Sequence, residues 1–248
     1  MSKLTKGAGD LARESWSHLV RDFATYGRII SYVVIAVIVM LIGYGIIAVS
    51  LEELSIVIFG GIVAFVGTVA LIILAFWSQI SLIEAADHSA ARRKYRLRHI
   101  FDGRLWLYVV HTIVAASFFG LVVLFGMQMI IPGLMLAVWL AFFKYAVVLD
   151  DKTDVQALLA SYKIVRGRFW PTLWRLFAFG LVLNVAIWVS LALVFGLSYG
   201  IGAFMAAGSA EILAALLMIV FYLAVVYLLI PFATLYMVLL YRDLKKTA

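Results

Sequence analysis

The chain is poor in the residues with which soluble proteins face water or cross-link themselves. It has no cysteine, which excludes disulfide bonds, thiolate metal sites and a cysteine nucleophile. Charged residues make up only 13% of its 248 residues, whereas hydrophobic residues make up 66%. A water-soluble fold of this size has too much surface to cover with so few charges. We therefore expect the apolar excess to face lipid.

The sequence also lacks the short motifs of common active sites. It contains no P-loop, no glycine-rich dinucleotide fingerprint, no nucleophile elbow and no zinc-protease histidine pair. We therefore expect a protein that is not an enzyme and that binds no metal or cofactor. No nucleic-acid-binding module is present, and no nucleic-acid partner is expected. No signal peptide is expected either, since the first apolar stretch begins at Ile29 and is long enough to remain as a span.

Six apolar stretches are long enough to cross a bilayer, which takes about 20 residues of helix. They are residues 29–49, 56–83, 105–127, 131–149, 176–197 and 212–241. The predicted fold class is an all-α integral membrane protein with one polytopic domain. Its parts are a cytoplasmic amphipathic segment, the six-span bundle and a cytoplasmic tail, at residues 1–28, 29–241 and 242–248. Pro231, inside the sixth stretch, predicts a kink.

The positive charges fall on one side of this six-span topology. Nineteen of the 20 lysines and arginines lie in residues 1–28, 84–104, 150–175 and 242–248. The twentieth, Lys144, lies near the same end of span four. Because lysine and arginine are retained in the cytoplasm during insertion, both termini are predicted to be cytoplasmic. We expect a multi-pass protein of a bacterial inner membrane.

The density of positive charge at this face also predicts contact with anionic headgroups, so membrane lipids are the expected partners. The residues assigned to this contact are Arg92, Arg93, Lys94, Arg96, Arg98, Arg166 and Arg168. Topology alone would select the same charges, and both interpretations stay open. The small-residue pairs Gly60/Ala64 and Ala116/Gly120 allow close helix packing, either within one chain or in a homo-oligomer.

Three cytoplasmic segments share an order: an amphipathic stretch, a Gly-Arg pair and an apolar run. The pairs begin at Gly27, Gly103 and Gly167. Each glycine is expected to end a surface helix in a left-handed conformation, after which arginine reaches the headgroups. This predicts cytoplasmic amphipathic helices before spans 1, 3 and 5. The alternative is that any membrane boundary selects these residue types.

The region from span four to span five has a recognisable order of residues. It contains Ile131-Pro132-Gly133, Leu149-Asp150-Asp151, Leu158, Ser161 and Gly167-Arg168-Phe169-Trp170. This order resembles a group of multi-pass bacterial membrane proteins that includes the membrane domain fused, in some proteins, to glycerophosphoryl diester phosphodiesterases. The resemblance implies a helical bundle of the bacterial inner-membrane type. It implies no activity and no catalytic residues, since the matched positions are of a structural kind.

Five polar residues in or near the spans are candidates for an intramembrane site, because a polar group in a bilayer is costly. They are Lys144, Asn184, His111, Gln79 and Glu84. If they converge on one cavity, they predict a transporter or a channel. The structural alternatives are a snorkelling or paired Lys144, an interhelical hydrogen bond from Asn184 and a packing role for His111.

A third possibility is an enzyme that acts on lipid at the inner face. Glu84, Asp87 and His88 share one helix face, and that spacing can hold a divalent metal. One helix supplies too few ligands, so this possibility needs an acid from residues 150–170. The preferred hypothesis remains a non-enzymatic protein that organises lipid or a partner at the cytoplasmic leaflet.

Overall fold

The structure, a computed structural model, describes residues 6–49, 53–93, 95, 103–127, 130–202 and 209–246. These residues form the helices α1 Ala8–Val49, α2 Leu54–Ala90, α3 Gly103–Met127, α4 Ile130–Leu140, α5 Phe143–Asp150, α6 Asp154–Arg166, α7 Phe169–Gly202 and α8 Ser209–Lys246. Six helical stretches are long and apolar enough to cross a membrane, with α4 and α5 together forming the fourth. The prediction of an all-α membrane protein is confirmed in its helical structure and in the six helical stretches that are long and apolar enough to span.

The described helices group into two compact units. The first unit is Val20–Lys163, and the second combines Met1–Leu19 with Ile164–Ala248. Helix α1 therefore contributes its first turns to the second unit and its remainder to the first. The single polytopic domain and the cytoplasmic position of the termini stay predictions, and each unit is described by itself.

Glycines bring α1 and α2 of the first unit into close contact. A Cβ atom at Gly43 would lie 2.3 Å from the backbone nitrogen of Ala64, and one at Gly67 would lie 2.6 Å from the Cα of Met40. Only glycine permits such an approach of two backbones. The predicted pair Gly60/Ala64 thus packs within one chain. By contrast, a Cβ at Gly120 would have no neighbour within 4 Å.

Helix α2 is longer than the membrane is thick. Its 37 residues span about 55 Å, whereas the hydrocarbon core is about 30 Å thick. Its large exposed apolar side chains run from Leu54 to Ile73, which is about 30 Å of helix, and beyond them Trp77 and Ile80 are buried. Part of the helix predicted before span three is therefore the end of α2. The rest of that segment lies outside the described residues.

Span four is broken, although the sequence predicts it as continuous. Helix α4 ends at Leu140 and α5 begins at Phe143. The hydroxyl of Ser161, from α6, donates to the Trp139 carbonyl at 2.7 Å and accepts from the Phe142 amide at 3.1 Å. A side chain that bonds both backbone groups makes a break inside an apolar span tolerable.

Helix α6 folds back along span four. Asp151 ends α5 in the left-handed conformation, with φ 52° and ψ 32°. Leu158 of α6 then joins a buried cluster with Ala115, Leu140 and Phe143, which belong to α3, α4 and α5. A helix does precede span five, as predicted, but one of its faces is buried in protein.

The apolar face of α6, formed by Val155, Leu158, Leu159, Tyr162 and Val165, is divided between two environments. Leu158 and Val165 are buried. Val155 and Leu159 are exposed by 46% and 53%. The division follows from the turn at Asp151, which directs α6 back against the unit so that only part of its apolar surface meets protein.

The proposed role of the junction glycines is wrong. Helix α1 continues through Gly27 and is irregular at Asp22 instead, where φ is −111° and ψ is 19°. Neither Gly103 nor Gly167 has a left-handed φ. The physical reason in α1 is tertiary: the Arg21 guanidinium donates to the Ser89 carbonyl of α2 at 2.7 Å, and Ser89 Oγ donates to the Asp22 carboxylate. The contact with α2 fixes the bend.

The second unit is held together by stacked rings and a buried ion pair. Phe179 of α7 stacks on Tyr236 of α8 with ring centroids 3.8 Å apart. The Arg175 guanidinium lies 3.7 Å from the Asp243 carboxylate, and both side chains are at most 10% exposed. Arg175 also donates to the Lys6 carbonyl, which ties the start of the described chain to α7. At Pro231, where the sequence predicts a kink, α8 is not interrupted and continues as one helix of 38 residues.

Candidate functional site

The structure brings two of the five candidate polar residues together. The ammonium group of Lys144, on α5, donates to Gln79 Oε1 of α2 at 2.9 Å. Along α2, Gln79 lies about 9 Å of helix beyond Ile73, where the exposed apolar band ends. This position and partner match the structural alternative given for Lys144, a paired lysine near the membrane boundary.

His111 pairs with the first residue of α6, Asp154. Its Nδ1 lies 2.9 Å from Asp154 Oδ1, and one turn earlier on α3 the Tyr108 hydroxyl donates to Asp151. Asp151 and Asp154 have positive φ angles of 52° and 43°, which are costly for residues with a Cβ. The two contacts hold the turn between α5 and α6 against α3.

Glu84 takes part in a contact at the far end of α2. The Tyr95 hydroxyl donates to Glu84 Oε2 at 3.2 Å, and the Tyr95 ring packs edge-on against His88 at 5.5 Å. Burial and the neighbouring Glu84 carboxylate raise the pKa of the Tyr95 phenol. Among the described residues, no three His, Cys, Asp or Glu side chains come together in a way that could hold a metal. The arrangement required by the enzyme hypothesis is therefore not found in this part of the chain.

Asn184 is exposed on α7 and forms its hydrogen bond within its own helix. Its Nδ2 donates to the Gly180 carbonyl at 3.0 Å.

Within the first unit, an open cavity of about 630 Å³ lies between α1 and α2. Its lining is Ile42, Gly45, Ile46, Val49, Ile56 and Phe59. The candidate polar residues thus occupy separate pairwise contacts, and this cavity is lined by none of them.

The predicted headgroup contacts divide into three groups. Arg92 and Arg93 are exposed just beyond α2, and Arg166 is exposed at the end of α6. Arg168 is half-buried and donates to the Leu244 carbonyl at 3.0 Å, so its guanidinium has a structural partner. Lys94, Arg96 and Arg98 lie outside the described side chains.

An exposed stripe on α6 combines apolar and basic residues. Val155, Leu159, Lys163 and Arg166 follow each other at steps of four, four and three, so they share one helix face. All four are exposed. We call this face the α6 stripe. A helix with apolar side chains and cations on one exposed face can rest in the headgroup layer of a membrane.

Two contacts of α3 have a spacing that is visible in the sequence although it was not used to predict them. Tyr108 and His111 are three residues apart on α3, and their partners Asp151 and Asp154 have the same spacing. That matched spacing could have indicated that the two segments meet. The Arg175–Asp243 pair has no such pattern, because it is a single contact with no second pair at a matching spacing.

A comparison with known proteins found no relative of this chain. No protein family, curated protein or solved structure matches the chain. The resemblance to the phosphodiesterase-linked membrane domains therefore stays a prediction, and function has to be argued from the residues alone.

Proposed function

We propose that this multi-pass membrane protein resides in a bacterial inner membrane, with both termini in the cytoplasm. We further propose that it organises lipid or a partner at the cytoplasmic leaflet rather than catalysing a reaction. One observation carries the proposal, namely the exposed α6 stripe. In this arrangement the exposed face of α6 contacts lipid, and Lys163 and Arg166 meet anionic headgroups.

The opposite face of α6 supports this role because it is fixed to protein. Leu158 and Ser161 are buried, and Asp154 is tied to His111. The helix is therefore held in place before it meets lipid, so the stripe loses little conformational freedom on binding.

Arg92 and Arg93, which follow the end of α2, are not assigned to the lipid contact. Between Ile73 and Ala90, α2 runs for about 25 Å past its exposed apolar band. That distance exceeds the thickness of a headgroup layer, which is about 5–8 Å on each side of the bilayer. We therefore assign the lipid contact to Lys163 and Arg166 and not to Arg92 and Arg93.

The test compares two pairs of cations in the purified full chain. The variant Lys163→Gln/Arg166→Gln should lose thermal stabilisation by phosphatidylglycerol relative to phosphatidylcholine in detergent micelles. The charge-retaining variant Lys163→Arg/Arg166→Lys should keep it, and so should Arg92→Gln/Arg93→Gln. Added salt should weaken the effect in the parent protein. Equal loss in both glutamine variants would refute the assignment to α6.

A second candidate function is transport, and the broken fourth span favours it. Discontinuous helices line the substrate sites of many transporters, and Lys144 is two residues past the break. If Lys144 takes part in transport, Lys144→Met should abolish any ion or solute flux measured in liposomes. Unchanged flux would remove Lys144 from the mechanism.

A further inference from the structure

Helix α7 carries a regular row of large exposed side chains. The row consists of Trp170, Trp174, Phe177, Leu181, Asn184 and Trp188, at steps of four, three, four, three and four. All six are exposed, including Trp170 at 75% and Trp188 at 69%. The row lies opposite Phe179, the side chain with which α7 packs on α8. We call this row the α7 seam.

The alternating steps of four and three are typical of helices that pack side by side. Large side chains at these steps form one continuous face, whose knobs fit the holes of a second helix in a left-handed pair. Most helix pairs in membranes cross at about +20°, the angle this pattern produces. Exposed apolar side chains also cover the neighbouring face of α7, at Val182, Val185 and Val189, so the polar residue Asn184 is what distinguishes the row.

Asn184 interrupts the apolar seam. One hydrogen of its amide is bonded to the Gly180 carbonyl. An asparagine side chain also has a second N–H and a carbonyl oxygen with two lone pairs. Acyl chains supply neither donor nor acceptor, so an amide on a lipid-facing surface is costly. The seam therefore favours an occupant that offers both a donor and an acceptor at the level of Asn184.

A second copy of the chain supplies both at that level. Copies inserted in the same orientation are related by a two-fold axis along the membrane normal, which makes their interface self-complementary. On that axis the amide of Asn184 meets its own equivalent, and each carbonyl accepts from the other N–H. We propose that two copies of this protein associate through their α7 seams, with Asn184 paired across the axis.

The first test uses the absence of cysteine from the chain. A single introduced cysteine is therefore the only thiol in the chain, and any disulfide between two copies forms at that position. Leu181→Cys, on the seam, should form a disulfide-linked dimer in liposomes under mild oxidation. Leu121→Cys on α3 is the matched control, because Leu121 and Leu181 are exposed by 54% and 53%. Equal yields at the two positions, or none at Leu181, would overturn the proposal.

The second test measures the contribution of Asn184. Full-length copies labelled with donor or acceptor dyes are diluted in liposomes, and the dimer dissociation constant is read from energy transfer. Asn184→Val should raise that constant by about 3- to 30-fold, the range typical of hydrogen bonds between membrane helices. Asn184→Gln, which keeps the amide, should stay close to the parent. A dissociation constant unchanged by Asn184→Val, or a monomer at every dilution, would contradict the pairing.

Discussion

Ser161 is expected to fix the position of α6, and its replacement by alanine gives a direct measure of that contact. The substitution removes the two hydrogen bonds that the hydroxyl makes at the break in span four, to the Trp139 carbonyl and from the Phe142 amide. A buried hydrogen bond contributes about 1 kcal/mol net. The expected loss in the free energy of unfolding is therefore about 2 kcal/mol, or about 30-fold in the equilibrium constant.

The measurement is reversible unfolding of the full chain in mixed micelles, followed by circular dichroism. The control is Ser117→Ala, because Ser117 is an exposed serine on α3 that bonds only the Ile113 carbonyl of its own helix. We expect Ser117→Ala to change the free energy of unfolding by less than about 0.5 kcal/mol. If the two alanine variants are equally stable, the hydroxyl of Ser161 does not hold α6 to span four.

Two further substitutions test the packing of each unit. Gly43→Ala should destabilise the α1–α2 contact by about 1–3 kcal/mol, since its Cβ would overlap Ala64, while Gly45→Ala, with nothing within 4 Å, should be neutral in the same unfolding assay. A neutral Gly43→Ala would show that the helices separate at no cost. Arg175→Met should cost about 3–5 kcal/mol because it leaves the buried Asp243 carboxylate without this cation. The double variant Arg175→Met/Asp243→Leu should recover most of that loss in thermal unfolding; no recovery would mean that Arg175 acts through other contacts.

The six spans could be predicted from the sequence because hydropathy over about 20 residues is a local property. The break in span four could not. Its neighbourhood, from Trp139 to Phe143, is apolar and contains no glycine or proline to indicate an interruption. The break depends on Ser161, which lies about 20 residues later in the chain and reaches it only after the turn at Asp151.

The same distinction between local and tertiary causes applies to the polar residues. The candidate polar residues could be selected from the sequence, since a polar side chain in or beside an apolar stretch is visible there. Their separate partners were not predicted: Lys144 bonds Gln79, whereas His111 bonds Asp154. Each pair joins different helices, so its geometry depends on packing that no single segment encodes. The amphipathic pattern before span five predicts a helix, but it does not show which of the apolar side chains of α6 are buried in protein and which are exposed.

The proposed function requires α6 to lie at the membrane surface, and spin labelling measures that position. Single-cysteine variants Leu159→Cys and Arg93→Cys, carrying a spin label, are reconstituted in liposomes that contain phosphatidylglycerol. Accessibility to oxygen, which concentrates in lipid, is compared with accessibility to a water-soluble nickel complex. We expect the label at position 159 to be immersed in the lipid boundary and the label at position 93 to be in water. Equal exposure of both labels to the nickel complex would contradict this position of α6.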